Sequence, residues 1–148
     1  RETLVVAGDN LFDFSIAEFI SFARSQPSPA VIGAYDVKDQ TLATQYGILD
    51  VDDNGRITSF VEKPSEPPST FASLALYWLS HKGVQLVKEY LDQGGNTDQP
   101  GHYIKWLSEQ YEAYAFVFDG NWFDIGDNQS YKDANTFYQS NATEDGKE

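Results

Sequence analysis

Three short stretches of this 148-residue chain carry side chains with chemistry to offer. The first is Gly8-Asp9-Asn10, which follows the apolar run Leu4-Val5-Val6-Ala7. A short continuous apolar run reads as a strand buried on both faces, and open α/β sheets bind ligands outside the carboxyl ends of such strands. Magnesium needs only one or two carboxylates beside water and substrate phosphates, so a single acid there matters. Asp in such a sequence also serves as a plain turn residue. The second stretch is Glu62-Lys63-Pro64. Pro64 biases Lys63 towards an extended backbone, which would send the two charged side chains in opposite directions. A lysine held there can neutralise a phosphate as a point charge, and a glutamate can accept hydrogen bonds from hydroxyls. An isolated Glu-Lys pair reads equally as a solvated strand end. The third is Trp122-Phe123-Asp124-Ile125-Gly126, an acid among large apolar residues. A carboxylate in that company is costly to bury unless it meets a cation or several hydrogen bonds.

Other acids have simpler readings. Asp50-Val51-Asp52-Asp53-Asn54-Gly55 begins like an EF-hand loop, but position twelve would be Val61 and the bidentate glutamate is missing. Asp50 and Asp52 also form an Asp-x-Asp triplet of the kind that metal-dependent glycosyltransferases use, a tripeptide too common to weigh much. Asp127 reads as a helix cap and Asp119 as a loop acid. His81 and His102 lack a second imidazole or thiolate at metal-ligand spacing.

The elements that must carry these residues alternate between strand and helix. Ser15 and Glu18 have capping-box spacing before Ile16, Phe19, Ile20 and Ala23, and Pro27 and Pro29 end that helix. Ala30–Tyr35 is a second apolar strand, so the first 35 residues read as a βαβ unit. Residues 47–51 and 57–61 flank Asn54-Gly55, a hairpin signal. Residues 72–79 read as a strand. Val84, Val87 and Leu91 predict one helical face, and Ile104, Leu107 and Tyr111 another. A strand over 113–118 and a helix lined by Tyr131, Ala134 and Tyr138 complete the pattern. The expected architecture is an α/β domain with a mixed sheet.

Composition excludes several classes. The chain has 10 Lys+Arg against 23 Asp+Glu, a formal charge of −13, which argues against a basic nucleic-acid footprint. With 3 Trp, 9 Tyr and 10 Phe there is ample material for a core, and disorder throughout is excluded. No apolar run is long enough for a membrane span, and without cysteine there is no disulfide or thiolate site. Methionine is also absent, so the chain reads as part of a longer protein.

Taken in order, Val6-Ala7-Gly8-Asp9-Asn10-Leu11-Phe12, Tyr46-Gly47-Ile48-Leu49, Glu62-Lys63-Pro64, Pro100-Gly101 with Ile104 and Trp106-Leu107, and Trp122-Phe123-Asp124-Ile125-Gly126 with Ser130-Tyr131 resemble the sugar-1-phosphate nucleotidyltransferases. The glucose-1-phosphate thymidylyltransferase-like group is the nearest in pattern. The resemblance implies a Rossmann-like nucleotidyltransferase fold with a mixed, mainly parallel sheet, present as its later portion. Residues 1–139 would form its sugar- and metal-binding portion and 140–148 a polar tail.

The same resemblance implies roles. Asp9 and Asp124 would hold the catalytic Mg²⁺, Lys63 would contact the sugar phosphate, Glu62 the sugar hydroxyls, and the Gly47 backbone would approach the sugar ring. The implied reaction is attack by a sugar-1-phosphate oxygen on the α-phosphorus of a nucleoside triphosphate, glucose-1-phosphate with dTTP being the expected pair, with release of pyrophosphate. The nucleophile is already anionic near neutral pH, so positioning and charge stabilisation suffice without a general base. The expected partners are therefore sugar-1-phosphate and nucleoside triphosphate, with no nucleic acid and no membrane, and the expected location is cytoplasmic.

Two departures accompany the resemblance. The family's glycine-rich loop with its Arg and Pro-Lys pair does not occur in these 148 residues, so the chain is expected to be a fragment that makes no nucleotide sugar alone. Its strand bearing Asp9 is then expected to have an unpaired edge, through which a second copy could associate. Residues 74–77 read Leu-Ala-Leu-Tyr where relatives have a Thr-Gly-Leu-Tyr-like sequence. The alternatives are a non-catalytic sugar-phosphate or effector-binding module, and a metal-dependent glycosyltransferase using Asp50 and Asp52.

Overall fold

A computed structural model describes residues 1–142; residues 143–148, most of the expected polar tail, lie outside the described residues. In order the elements are β1 (Thr3–Val6), β2 (Asn10–Phe12), α1 (Ile16–Ser25), β3 (Ala30–Asp36), α2 (Gln40–Ala43), β4 (Gly47–Val51), β5 (Ile57–Glu62), β6 (Phe71–Leu79), α3 (His81–Asp92), α4 (Pro100–Gln110), β7 (Ala113–Phe118), β8 (Trp122–Asp124) and α5 (Asn128–Ala142). They fall into two units: Arg1–Val6 with Ser15–Asp119, and Ala7–Phe14 with the chain from Gly120 onward.

The first unit is built on a six-stranded sheet with the path β5-β4-β6-β3-β7. The long strand β6 organises it. One edge of β6 pairs antiparallel with β3, and its other edge pairs with β4 near Ala72 and with β1 from Leu76 to Leu79. Thus β1 and β3 are parallel to each other, as the βαβ reading requires, with β6 inserted between them. The sheet is mixed as expected, but its balance differs from the mainly parallel sheet anticipated. Only β3–β7 pairs in parallel, and the other pairings are antiparallel. Apolar runs report burial on both faces and carry no information on strand direction.

Both faces of this sheet are covered. Ile32, Leu49, Tyr77, Leu79, Ala113 and Ala115 pack with Leu86 and Tyr90 of α3 and Tyr103, Ile104 and Leu107 of α4. On the opposite face Phe19 of α1 is fully buried, its ring 6.0 Å from Phe116 and 5.6 Å from Phe118. Ser15 caps α1 by accepting the Glu18 N–H at 3.4 Å, as its spacing predicted. The β4–β5 hairpin closes through Gly55 N–H to Asp52 O at 2.9 Å, with Gly55 at φ +79°.

Three local expectations shift. In α3 the buried positions are Gly83, Leu86 and Tyr90, one step round from the expected stripe, and Val84 and Leu91 are exposed. In α5 Ala134 is buried but Tyr131 is 59% exposed. Strand β1 is only half-buried, with Val6 45% exposed, because it pairs with β6 alone among the described residues. Side-chain apolarity sets which faces can be buried; the neighbours decide which are.

The second unit contains the antiparallel pair β2–β8 and the helix α5. Phe123 of β8 packs its ring 5.3 Å from Phe137 of α5. Asp127 caps α5 as expected: its Oδ1 accepts the N–H groups of Gln129 and Ser130 at 2.9 and 2.7 Å, while Ser130 Oγ accepts the Asp127 N–H at 3.1 Å. These bonds hold the Asp127 carboxyl below the usual range.

Candidate active site

The predicted site residues form two groups, one in each unit. In the second unit Asp9 immediately precedes β2, and Asp124 is the last residue of β8. The ladder pairs Asn10 with Asp124, Leu11 with Phe123 and Phe12 with Trp122. Just beyond it the Ile125 N–H donates to Asp9 O at 2.8 Å. Two acids far apart in sequence are thus joined through a three-pair ladder. The Asp9 carboxylate is oriented by the Asn10 amide, which donates to Oδ1 at 2.9 Å. Asn10 Oδ1 in turn accepts from Trp122 Nε1 at 2.7 Å. Asn10 and Trp122 therefore belong to the site's framework, a role that their one-letter pattern does not announce.

Electrostatics agree with this proximity. Partial desolvation, and then the neighbouring Asp9 charge, push the Asp124 carboxyl above its ordinary range. Two like charges held together are relieved by a cation. No cluster of three or more His, Asp or Glu able to hold a metal occurs among the described residues. A cation here would have two carboxylates and fill its shell with water and substrate oxygens, a donor set that suits a hard divalent ion.

In the first unit Gly47 stands opposite Glu62 in the β4–β5 register, and the Lys63 N–H continues that ladder to Tyr46 O at 3.0 Å. Glu62 and Lys63 are exposed, Pro64 is buried, and none of the ion pairs among the described residues involves Lys63. The extended backbone expected at Lys63 is not what forms. Its φ is +44°, a left-handed conformation that costs a non-glycine residue on the order of 1 kcal/mol. The ladder bond and the buried proline overrule the local preference. Tyr77 of β6 is a buried core residue within electrostatic reach of Glu62. Burial chiefly raises its pKa, a Ser73 hydrogen bond opposes that, and the Glu62 charge adds to it. A Cβ on Gly101 would lie 3.9 Å from the Tyr77 hydroxyl. In the sequence Tyr77 stood out only as part of an apolar strand and as the Tyr of the Leu-Ala-Leu-Tyr stretch that departs from the family pattern.

Asp50 and Asp52 are engaged elsewhere. Asp52 Oδ1 accepts the N–H groups of Asn54 and Arg56 at 2.9 and 3.0 Å, and Asp50 Oδ1 that of Val51 at 3.2 Å. The flanks are strands, so the hairpin reading prevails over the EF-hand one.

The mixed sheet, its helices and the β2–β8 pair together have the Rossmann-like nucleotidyltransferase fold. A crystal structure of a Bacillus anthracis protein assigned as a glucose-1-phosphate thymidylyltransferase, in complex with a sucrose, superposes with a TM-score of 0.71 at 22% identity, over 92% of this chain and 54% of that one. The chain belongs to the nucleotidyl transferase family, whose sequence model matches residues 1–141. Among curated relatives, the glucose-1-phosphate adenylyltransferase of Clostridium acetobutylicum is 28% identical over 135 residues, covering 89% of this chain and 35% of that protein. That of Fervidobacterium nodosum is 32% identical over 135 residues, covering 89% and 32%. The chain thus spans a minor part of the length of these relatives. No helix among the described residues is long and apolar enough to cross a membrane.

Proposed function

We propose that the protein containing this chain transfers a nucleotidyl group from a nucleoside triphosphate to a sugar-1-phosphate, releasing pyrophosphate. The observation that carries the reading is the β2–β8 ladder, which puts Asp9 beside Asp124 in a chain of the nucleotidyl transferase family. Asp9 and Asp124 would hold Mg²⁺, with Asn10 orienting the Asp9 carboxylate. Bound there, the ion neutralises phosphate charge as the α-phosphorus is attacked. Lys63 would hold the sugar phosphate, its backbone fixed by the bond to Tyr46. Glu62 would accept hydrogen bonds from sugar hydroxyls, and the bare backbone of Gly47 would let the ring come close. No side chain is asked to remove a proton, because the attacking phosphate oxygen is already ionised.

The relatives' names share glucose-1-phosphate and differ in the base, adenylyl in one group and thymidylyl in the other. Glucose-1-phosphate is therefore the sugar substrate we assign, with dTTP and ATP as the nucleotides to compare. The test is pyrophosphate release by the protein carrying this chain, with glucose-1-phosphate, each nucleotide in turn, and Mg²⁺. Turnover with one of them, lost on chelation, is expected. Glucose-1-phosphate binding by calorimetry without turnover on any nucleotide would replace this reading with that of a non-catalytic sugar-phosphate module.

A further inference from the structure

Asp13 immediately follows β2, and Asn121, 108 positions away, immediately precedes β8. Asp13 Oδ1 accepts the Asn121 backbone N–H at 2.7 Å, and Oδ2 accepts the Asn121 side-chain amide at 2.7 Å. The Asp13 N–H donates in return to Asn121 O at 3.3 Å. Gly120 makes the approach possible. Its φ is +129°, and a Cβ there would lie 2.6 Å from Asp13 Oδ1. The hydrogen bond from the Asn121 backbone is the main reason that the Asp13 carboxyl titrates below its usual range, so the clamp is ionic at neutral pH.

The clamp sits at one end of the β2–β8 ladder, and the Ile125–Asp9 bond sits at the other. Between them are only three residue pairs. So short a two-stranded ladder is marginal by itself. A slip of one residue would turn every β8 side chain to the opposite face, Asp124 included.

We propose that Asp13, through Asn121, sets the β2–β8 register and is thereby a positioning residue for Asp9 and Asp124. Asp13 touches neither acid; it fixes the strand ends from which they project. The proposal rests on the reading of those acids as metal ligands, and its test separates the two.

Amide hydrogen exchange and Mn²⁺ titration are measured on the full chain and on Asp13→Ala, Asp13→Asn and Gly120→Ala, with Asp9→Asn and Asp124→Asn as references. In Asp13→Ala the Ile125 amide should exchange about tenfold faster and Mn²⁺ should bind about tenfold more weakly, while amides of the first unit keep their protection. Gly120→Ala should act alike, because its Cβ displaces the Asp13 carboxylate. Asp13→Asn, which keeps one acceptor, should fall between. An Ile125 amide unchanged in Asp13→Ala overturns the proposal. So does faster exchange with Mn²⁺ affinity equal to the parent while Asp9→Asn binds weakly. If Asp9→Asn and Asp124→Asn also bind Mn²⁺ like the parent, the metal reading falls, and the clamp is judged by Ile125 exchange alone.

Discussion

Gly47 and Glu62 face each other across the β4–β5 ladder, and a Cβ on Gly47 would come 2.9 Å from Glu62 Oε2. The same Cβ would lie 3.3 Å from the Phe60 ring. In Gly47→Ala the flexible end of Glu62 must move, while the strand itself can stay. Stability should change by no more than about 1 kcal/mol, while glucose-1-phosphate affinity should fall about tenfold. Thermal melting and calorimetric titration of the same variant check both halves. Unchanged affinity would remove Glu62 and Gly47 from the sugar site.

Lys63 holds a left-handed backbone directly before a proline. Lys63→Ala keeps that conformation and loses the charge; Lys63→Gly loses the charge and relieves the strain. Urea unfolding should therefore show the Gly variant about 1 kcal/mol more stable than the Ala variant. Both should lose most sugar-phosphate binding. Equal stabilities would mean that no strain is stored at this position.

Asp124 should respond to pH in the opposite sense to most paired acids. Its carboxyl is pushed up by desolvation and then by Asp9, so the folded chain keeps this proton to higher pH than the unfolded chain does. As pH rises past the ordinary carboxylate range the unfolded state ionises first. Stability from this group is thus full below that range, falls until pH passes the folded value, and stays lower above it. Asp124→Asn should accordingly melt higher than the parent near neutral pH in chelator, and the gap should close towards about pH 4. Added Mg²⁺ should raise the melting temperature of the parent and not of the variant. A variant less stable than the parent in chelator at neutral pH would contradict the repulsion between the two acids.

The formal charge of −13 stands against four ion pairs among the described residues, all on exposed side chains. Exposed pairs add little, and repulsion among the remaining carboxylates is screened by salt. The melting temperature should rise as NaCl goes from about 10 mM to about 150 mM, where the screening length shortens to about 8 Å. A flat or falling curve would show that the surface charges are already balanced in the fold.

What the sequence determined by itself is what neighbours along the chain decide. Ser15 with Glu18 and Asp127 with Ser130 cap helices because the bonding groups are three residues apart. Asn54-Gly55 turns the hairpin, and that turn, by fixing the register, also brings Gly47 opposite Glu62. Asp9, Glu62, Lys63 and Asp124 could be singled out from their types and surroundings. Tertiary structure alone decided how they are held. Strands of three residues such as β2 and β8 are too short to show periodicity, so nothing in either segment announced their pairing or the Asp13–Asn121 clamp, and the meeting of Asp9 with Asp124 was implied by the family resemblance alone. The insertion of β6 between β1 and β3, the burial of Leu86 and Tyr90 in place of Val84 and Leu91, and the left-handed turn at Lys63 have the same origin. Apolar patterning says which surfaces can be covered, and local propensity says which backbones are cheap. Which partner strand arrives, and which cheap conformation is overruled by a ladder bond such as Lys63 N–H to Tyr46 O, is set by contacts between residues distant in the chain.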